Sequence, residues 1–459
     1  MKKTTTSLIL GTSLLAAVNI ASAQTTAAAV DVAKELAALK TRIMQLEQQL
    51  QSTDSKVNAM PAGGGAVDLS EFNRIRVKTE AIEDNFEAQG FKGLKINGWM
   101  DPTVIASKTR GTSFNFMNKF DASQDNTAYA YDNSYFGMAM LDLQKEMDGG
   151  TKWRLTLAPQ KASASGYNIG SIVHEASVSV PLGDLQTRFI AGQIPDWSGY
   201  EYIPSTQNKL ITHNLLFDFT MPNYYTGAGM EIVSGKWTMK GLVGNLNSNR
   251  YAKGDKSPLL TYRVDYAKGE YDGFGFAGQH GKAATSKINL FEVDAYFVRG
   301  NVSLFGQLSA GKLAGASSTG GDAKWAGASV TAAYKLTPKL ELVGRLDMIK
   351  NKKNGGGVYG SVSTTNVCPD GVTTGCTDGV NGFGSSMAFD TASNFWQPTG
   401  QGVNRSAMSL GLNYLYSSNV TFKAEYRLDR ASGNVFYYAS DDSYRKSNGL
   451  FGLSAVVSF

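Results

Sequence analysis

From residue 94 onward, hydrophobic and polar residues alternate along the chain with a period of two. In KWRLTL, residues 152–157, tryptophan and leucine take the odd positions, and lysine, arginine and threonine take the even positions. The stretch TFKAEYRL, residues 421–428, repeats this pattern. One apolar face opposite one charged face is typical of β-strands that border an apolar environment on one side.

About sixteen such runs follow one another, an even number within the range of outer-membrane barrels. Short turns, such as residues 148–150 and 417–419, alternate with longer connections. The longer connections include residues 107–130, 194–223, 350–404 and 431–447. Short periplasmic turns and long external loops are typical of transmembrane barrels. We therefore predict an all-β transmembrane barrel of about 16 antiparallel strands over residues 91–459.

The last predicted strand ends on an aromatic residue. Residues 449–459 alternate like the other strands and finish with Phe459. This resembles the C-terminal signature of outer-membrane barrels, in which the terminal Phe helps the assembly machinery to recognise the chain. The resemblance implies that Phe459 is an assembly signal.

The N-terminus has the pattern of a secretory signal. Two lysines precede an apolar run at residues 8–20, and the tripeptide at 21–23 offers the small residues that signal peptidase reads. We predict a signal peptide over residues 1–23. A membrane anchor is disfavoured, because this run is too short to cross about 30 Å of hydrocarbon.

Residues 24–60 have a heptad pattern, with apolar residues at the a and d positions over about four to five repeats. This predicts a periplasmic coiled coil, and hence an oligomer; a single amphipathic helix docked on its own domain is the alternative. A linker and a second helix are predicted over residues 61–90, with Asp68 as the N-cap and Glu71 three residues later. Lys34, Lys40 and Arg42 lie off the apolar seam and could face an anionic periplasmic partner such as peptidoglycan, or only solvent.

Composition is consistent with a barrel. The 44 Lys and Arg residues against 39 Asp and Glu residues make the chain only slightly basic, so no nucleic-acid partner is indicated. Mean hydropathy is −0.22, and no later segment has the roughly 18 uninterrupted apolar residues of a membrane helix. A barrel wall dilutes its hydrophobicity by alternation, and the 50 Gly, 21 Tyr and 22 Phe residues suit such a wall.

Motifs for catalysis or cofactor binding are weak. The stretch GFGFAG at 273–278 matches the dinucleotide fingerprint in spelling, but it lies inside a predicted strand without a following helix. The three histidines, His174, His213 and His280, lack metal-ligand spacing. We predict no metal, cofactor or enzymatic activity; a hydrolase using His174 beside a serine stays open. Cys368 and Cys376 are predicted to form a disulfide within the longest loop.

By alternation, the lumen face of the wall contains cations and carboxylates together. The inward cations include Lys152, Arg154, Arg188, Lys236, Lys240 and Arg263, and further along the chain Arg345, Lys423 and Arg427. Mixed charges could simply solvate a water-filled wall and pair across strands. Clustered cations near the exit of the 194–223 connection could instead bias a pore toward anions.

Residues 193–227 break the alternation and are rich in aromatic and leucine residues, which is unusual for a solvated loop. This segment also resembles the OmpL-like β-barrel porin-2 family. The resemblance rests on the following residues: Gly192-Gln193, Gly199-Tyr200-Glu201, Asn208, Leu215-Leu216-Phe217, Pro222 and Tyr225-Thr226-Gly227. In overall build the chain is also similar to trimeric porins with N-terminal helical extensions.

We expect the segment to fold into the barrel as a constriction loop, as the equivalent loop of general porins does. The expected constriction residues are Asp196, Tyr200, Glu201, Tyr202, Lys209, His213 and Asp218. An outward loop packed on a neighbouring protomer is the alternative.

These features together predict an outer-membrane porin of a Gram-negative bacterium. We expect a homotrimer in outer-membrane lipid that passes small hydrophilic solutes or ions by passive diffusion, with its N-terminal helices in the periplasm. One rival is a structural tether, whose plugged barrel only anchors the coiled coil. The other is the outer-membrane hydrolase.

Overall fold

The computed structural model describes the following residues: 77–78, 90–109, 111–116, 137–158, 160–162, 166–168, 172–222, 224–246, 258–267, 269, 271–283, 286–315, 321–351, 386–438 and 440–459. The predicted signal peptide and coiled coil lie outside these residues, and so does the Cys368 to Cys376 disulfide. The predicted linker and second helix do too, except for helical Val77 and Lys78 and for Gly90.

The described residues form strands almost throughout. In chain order these are β1 (Leu94–Met100), β2 (Thr103–Ser107), β3 (Gly111–Asn115), β4 (Ala139–Glu146), β5 (Lys152–Leu157), β6 (Gln160–Ala162), β7 (Gly166–Asn168), β8 (Val173–Leu182), β9 (Asp184–Pro195), β10 (Tyr224–Ser234), β11 (Trp237–Leu246), β12 (Leu259–Ala267), β13 (Asp272–Ala283), β14 (Ser286–Arg299), β15 (Val302–Leu313), β16 (Ala323–Thr337), β17 (Leu340–Lys350), β18 (Met387–Asp390), β19 (Phe395–Pro398), β20 (Arg405–Ser417), β21 (Val420–Ala431), β22 (Phe436–Tyr438), β23 (Ser443–Arg445) and β24 (Ser447–Ser458). A 3-10 turn at Ser205–Gln207 and one short helix, α1 (Leu215–Thr220), lie between β9 and β10.

The main sheet closes into an antiparallel barrel. Its 18 strands form 16 wall strands, because β1 continues into β2 and β3 is continued by β4 after an insertion. The last strand, β24, pairs with both β1 and β2 and so joins the two ends of the wall. Phe459 takes part in this closure, since its backbone N–H and C=O both bond to Gly98. The predicted fold class is confirmed.

One end of the barrel has short turns and the other has the longer connections. Two-residue turns such as Gly300–Asn301 join wall strands at the first end, and the hairpins β6–β7, β18–β19 and β22–β23 lie within connections at the second. The predicted long connection at residues 107–130 is wrong in one respect. The chain turns back at residues 108–110 and pairs as β3 with β2, and β4 begins only at Ala139.

The outer face of the wall is apolar. Phe291, Leu304, Val330, Leu346 and Phe451 all point outward and are exposed. Since the residues between them point inward, the alternation gives the barrel an apolar outer face along most strands. No helix among the described residues is both long and apolar enough to cross a membrane.

The inner face is apolar as well at the end with the long connections. A buried cluster there combines inward residues of the wall, such as Leu242, Leu290, Trp325 and Ile349, with Leu215, Leu216 and Phe219 from α1. At this end, these strands therefore have hydrophobic side chains on both faces, buried on the inner face and exposed on the outer face. Residues of the connection between β9 and β10 cover this apolar inner face.

Candidate functional site

The connection between β9 and β10 runs into the barrel. We call residues 196–222 the inner segment. Its hydrogen bonds reach wall strands β12, β15, β16, β17, β20 and β21, an arc of eight strands in wall order when β13 and β14 are counted. These contacts place the segment inside the barrel and do not support the alternative of an outward loop packed on a neighbouring protomer.

Arg345 on β17 is a central attachment point of the inner segment. Its Nη1 donates to Glu201 Oε1 at 2.9 Å and to the Thr212 carbonyl at 2.7 Å, and its Nη2 donates to the His213 carbonyl at 2.8 Å. Its Nε donates to Asp347 Oδ2 on the same strand at 3.1 Å. The guanidinium is fully buried, so these charged hydrogen bonds replace its hydration.

Strand β21 holds the same stretch of the inner segment from its other side. Glu425 Oε2 accepts the backbone N–H groups of Ile211 and Thr212, both at 2.8 Å. Arg427 Nη1 donates to the His213 carbonyl at 2.7 Å, and Lys423 Nζ donates to the Asn208 carbonyl at 2.6 Å. The segment's free backbone groups are therefore satisfied by charged wall side chains, as buried backbone requires.

The inner segment also has internal hydrogen bonds that fix its turns. Asn208 bonds with both its amide groups to the backbone of Tyr202, and His213 Nε2 donates to the same residue's carbonyl at 2.7 Å. The Asn214 side chain caps α1 by accepting from the Phe217 N–H at 2.8 Å. These bonds make the segment an ordered loop with its own geometry.

Two glycines allow the inner segment to approach the wall. Gly199 has φ +73°, a left-handed conformation, and lies against the Gln307 side chain, so both strain and contact oppose a larger residue there. On β16, a Cβ at Gly327 would collide with Leu216 of α1. Beside Gly199, the Tyr200 hydroxyl bonds to Ser329 and Thr331 at 2.6 and 2.8 Å.

Burial changes the ionisation of the inner segment. It raises the pKa of Glu201 to about 7, against the opposing effect of Arg345. It raises the pKa of Asp196 to about 6, and it lowers the pKa of His213 to about 3. His213 is therefore a neutral imidazole stacked on Phe217, with ring centroids 4.3 Å apart.

The opposite side of the lumen retains its contact with solvent. We call the inward residues of β1, β4, β5 and β8–β11 the open arc. Lys152 and Glu146 form an ion pair at 3.5 Å in which both side chains are half exposed. Arg154 lies between Asp142 at 2.7 Å and Glu175 at 3.3 Å and is 29% exposed. A cavity of about 390 Å³ lies along this arc, between the wall and Trp197 of the inner segment, and its charged lining residues are Lys152, Arg188, Glu231 and Lys240.

A family model matches most of this chain. It is described as "Protein of unknown function (DUF3138)" and matches residues 69–267 and 260–459. The chain belongs to the DUF3138 family. No curated protein matches it in sequence.

Among solved structures, the DUF3138 chain is similar to outer-membrane proteins. OmpT of Vibrio cholerae is 11% identical, with a TM-score of 0.50 over 80% of this chain and 97% of that chain. An anion-selective porin from Comamonas acidovorans is 12% identical, with a TM-score of 0.47 over 80% and 99%. The outer-membrane channel DcaP of Acinetobacter baumannii is also 12% identical, with a TM-score of 0.43 over 80% and 97%. At these identities the similarity to OmpT shows a shared barrel fold.

The DUF3138 structure brings the seven predicted constriction residues together in the inner segment. His213 and Asp218 are fully buried, and Tyr200 and Glu201 are 7% exposed. Lys209 keeps 20% of its side chain exposed while it pairs with Glu341 at 2.7 Å. Asp196 accepts hydrogen bonds from Ser198 and Tyr225, and Tyr202 is half-buried. Most of these side chains thus hold the segment in place.

The predicted lumen cations are divided between the two sides. Lys152, Arg154, Arg188 and Lys240 lie in the open arc. Arg263 lies under the inner segment, where it pairs with Asp265 and Asp294 and donates to the Trp197 carbonyl. Lys236 is not on the wall. It lies in the turn between β10 and β11, because β11 begins at Trp237, one residue after Lys236.

Sequence reasoning missed the wall residues that grip the inner segment through its backbone. Arg345 was expected only to line the lumen. Both Arg345 and its neighbour Glu425 also bond to main-chain groups of Ile211, Thr212 and His213. Backbone partners leave no side-chain pattern in the sequence. The available signal was the density of charged residues on β17 and β21 opposite an apolar connection.

Proposed function

We propose that this barrel is an outer-membrane porin, a water-filled channel for passive diffusion of small hydrophilic solutes, and not an enzyme. The observation that carries the proposal is the division of the lumen. The inner segment covers the arc from β12 to β21, while the open arc keeps charged side chains in contact with solvent. A folded segment that narrows a barrel without covering its whole wall is suited to set the size of a pore.

We propose that the open arc gives this pore a mild preference for anions. Lys152, Arg154, Arg188 and Lys240 share the arc with carboxylates, so most of the charge is paired. Arg188 is 6% exposed, and its described hydrogen bonds are with Ser179 and the Gly150 carbonyl; Glu231 is opposite it on β10. Fixed positive charge at a narrow aqueous passage attracts anions. A reversal potential that favours cations in a salt gradient would contradict this preference.

The wider assignment goes with the porin proposal. It comprises membership in the OmpL-like porin-2 group, a homotrimer, and N-terminal helices in the periplasm that tie protomers together or contact peptidoglycan. The seven constriction residues are proposed to shape the eyelet, and Lys209, with 20% of its side chain exposed, is suited to direct contact with solute. A gel band that always runs at monomer mass, heated or unheated, would contradict the trimer.

Deletion of residues 202–218 tests the constriction. A wall of 16 strands spaced about 4.8 Å apart and tilted about 40° has a backbone radius of about 16 Å. The inner segment forms a layer about one helix diameter thick, or about 10 Å, over half of that wall. Its removal should therefore about double the single-channel conductance in a planar bilayer.

The matched control shortens the hairpin β18–β19 at residues 391–394, whose described hydrogen bonds lie within that hairpin. This variant should conduct like the parent. An unchanged conductance after the inner deletion would move the constriction elsewhere. A parent protein that gives no conductance steps would favour the plugged tether, and silence with lipid hydrolysis would favour the hydrolase.

A further inference from the structure

The cavity between the open arc and the inner segment has a charged end and an apolar end. We call it the arc cavity. Its volume of about 390 Å³ lies within the range of small-molecule sites. Three apolar residues, Ile190, Ile194 and Trp197, line it together with the four charged residues described above. A cavity with both kinds of wall can fix the orientation of a ligand.

Arg188 defines the charged end of the arc cavity. It is buried, and its Nη2 donates to the Gly150 carbonyl at 2.6 Å, in the turn between β4 and β5. Its Nε donates to the Ser179 hydroxyl at 2.6 Å. Its Nη1 makes no hydrogen bond to any residue that the structure describes. Two of the guanidinium nitrogens therefore hold the group at the short-turn end, while the third has donors to offer to a ligand.

Two lysines lie beside Arg188 at this end. Lys240 pairs with Glu231 at 3.0 Å, and Glu231 is also opposite Arg188 across the β9–β10 ladder. Lys152 pairs with Glu146, which is outside the cavity lining. Among the described residues, the lining thus contains three cations and one carboxylate. This balance favours an anionic group and, because Glu231 is close by, a single negative charge over two.

The apolar end lies further along β9. Ile190 is the next inward residue after Arg188, about 7 Å along the strand, and Ile194 follows it. Trp197 comes after the strand ends, and its ring centroid is 5.0 Å from that of Tyr225. Ile190 and Trp197 both belong to the apolar cluster that includes residues of α1. The arc cavity therefore runs from a guanidinium to an indole ring along one strand.

We propose that the arc cavity binds small organic monoanions that have an apolar body, with aryl carboxylates as the chemical class. The carboxylate accepts from Arg188 Nη1, and the ring lies against Ile190 and Trp197. An inorganic anion would use only the charged end, and a neutral aromatic alcohol would lack the negative charge that the guanidinium selects. The inference rests on the proposed function, because it names a class of solute for the water-filled lumen.

Isothermal titration calorimetry of the detergent-solubilised full chain with 3-phenylpropionate tests the proposal. Two matched probes separate the two ends of the cavity. The alcohol 3-phenylpropanol keeps the aromatic body without the charge, and acetate keeps the charge without the body. The parent should bind 3-phenylpropionate about tenfold more tightly than either, since each probe loses one set of contacts. Equal affinity for 3-phenylpropionate and either matched probe would overturn the proposal.

Arg188→Gln tests the charged end. It should weaken the binding of 3-phenylpropionate about 20-fold, because a charged hydrogen bond is lost. The matched control, Lys95→Gln, removes one positive charge from β1, four wall strands away from β9, and should bind like the parent. Trp197→Leu should weaken the binding of 3-phenylpropionate about fivefold and leave that of acetate unchanged. Binding of 3-phenylpropionate by Arg188→Gln at the parent's affinity would place the ligand elsewhere and overturn the proposal.

Planar-bilayer recordings keep this result separate from the porin proposal. At concentrations that fill the parent site, 3-phenylpropionate should reduce the single-channel conductance of the parent and not that of Arg188→Gln. Conductance steps without binding of 3-phenylpropionate would overturn the inference and leave the porin proposal intact. Binding without conductance steps would contradict the porin proposal and support the site. Heat-dependent gel mobility checks that each variant folds, and the comparison of probes on the parent decides the question without any variant.

Discussion

Replacement of Arg345 by alanine should release the inner segment from the wall. This residue makes charged hydrogen bonds to Glu201 and to the carbonyl groups of Thr212 and His213, and all of these groups are buried. Removing one partner of a buried pair costs about 3–5 kcal/mol, because the former partners, here Glu201 and the two carbonyl groups, stay buried without their hydrogen-bond donor. A loss of about 4 kcal/mol increases the population of undocked segment by about 1,000-fold.

A single cysteine at position 220 can report this undocking. Thr220 is fully buried on α1, and its hydroxyl bonds, among the described residues, to the Leu216 carbonyl and to Ser309. In a background with Cys368→Ser and Cys376→Ser, Thr220→Cys should react slowly with a membrane-impermeant thiol reagent. Arg345→Ala should accelerate that reaction by two to three orders of magnitude, as expected for a reaction that passes through the undocked state.

Arg154→Ala is the matched control. Arg154 is also a lumen arginine between two carboxylates, but its described partners, Asp142 and Glu175, belong to the wall. The control should leave the labelling rate at position 220 within a few-fold of the parent. The double substitution Arg345→Met with Glu201→Gln should label more slowly than Arg345→Ala, since no carboxylate at 201 is stranded. Equal rates for the parent and Arg345→Ala would refute the docking role of Arg345.

Three further expectations follow from the contacts of other residues. The raised pKa of Glu201, about 7, favours the neutral acid, so its contribution to stability is complete below about pH 4.5 and is lost as the pH rises through 7. The melting temperature should therefore fall over that window by an amount that corresponds to about 3 kcal/mol, and Glu201→Gln should flatten the profile. Lys152→Glu should shift the reversal potential toward cations, whereas Lys236→Glu in its turn should not. Arg405 stacks on Phe219 at 4.9 Å and on Phe436 at 5.0 Å, so Arg405→Lys should lose about 1–2 kcal/mol and hasten hydrogen exchange in β22.

Each of these expectations can fail independently. A melting profile of Glu201→Gln parallel to that of the parent would mean that another group titrates. Equal selectivity shifts from Lys152→Glu and Lys236→Glu would mean that long-range charge, not the open arc, sets the preference. Unchanged exchange in β22 would show that the pairing of Arg405 with Asp429, and not the aromatic contacts, fixes this arginine.

The wall could be predicted because lipid imposes a simple rule on it. In β5 and β21 one face meets hydrocarbon and the other meets polar groups, so the period of two is visible in the sequence. The rule gave no warning of the break between β3 and β4, because each piece alternates correctly by itself.

The candidate site was only partly predictable. The aromatic content of residues 193–227 correctly indicated a buried connection, and the resemblance placed it inside the barrel. Its attachment could not be foreseen, since Glu425 and Arg427 recognise main-chain groups and Gly327 recognises the shape of Leu216. Most of the residues expected to meet solute are instead buried anchors, because a segment inside a barrel must first satisfy its own polar groups.

The inner face of β11 to β17 is apolar at the end with the long connections, and this has a consequence for biogenesis. Before the inner segment docks, inward residues such as Leu242, Leu290 and Trp325 are not covered by lipid or by protein. A sheet that has not yet closed would therefore expose apolar side chains on both faces, which favours aggregation. Loop and wall must therefore mature together. Such a chain should depend more heavily on periplasmic chaperones than a barrel with a polar interior, and a delay in loop docking should divert it to aggregation before insertion.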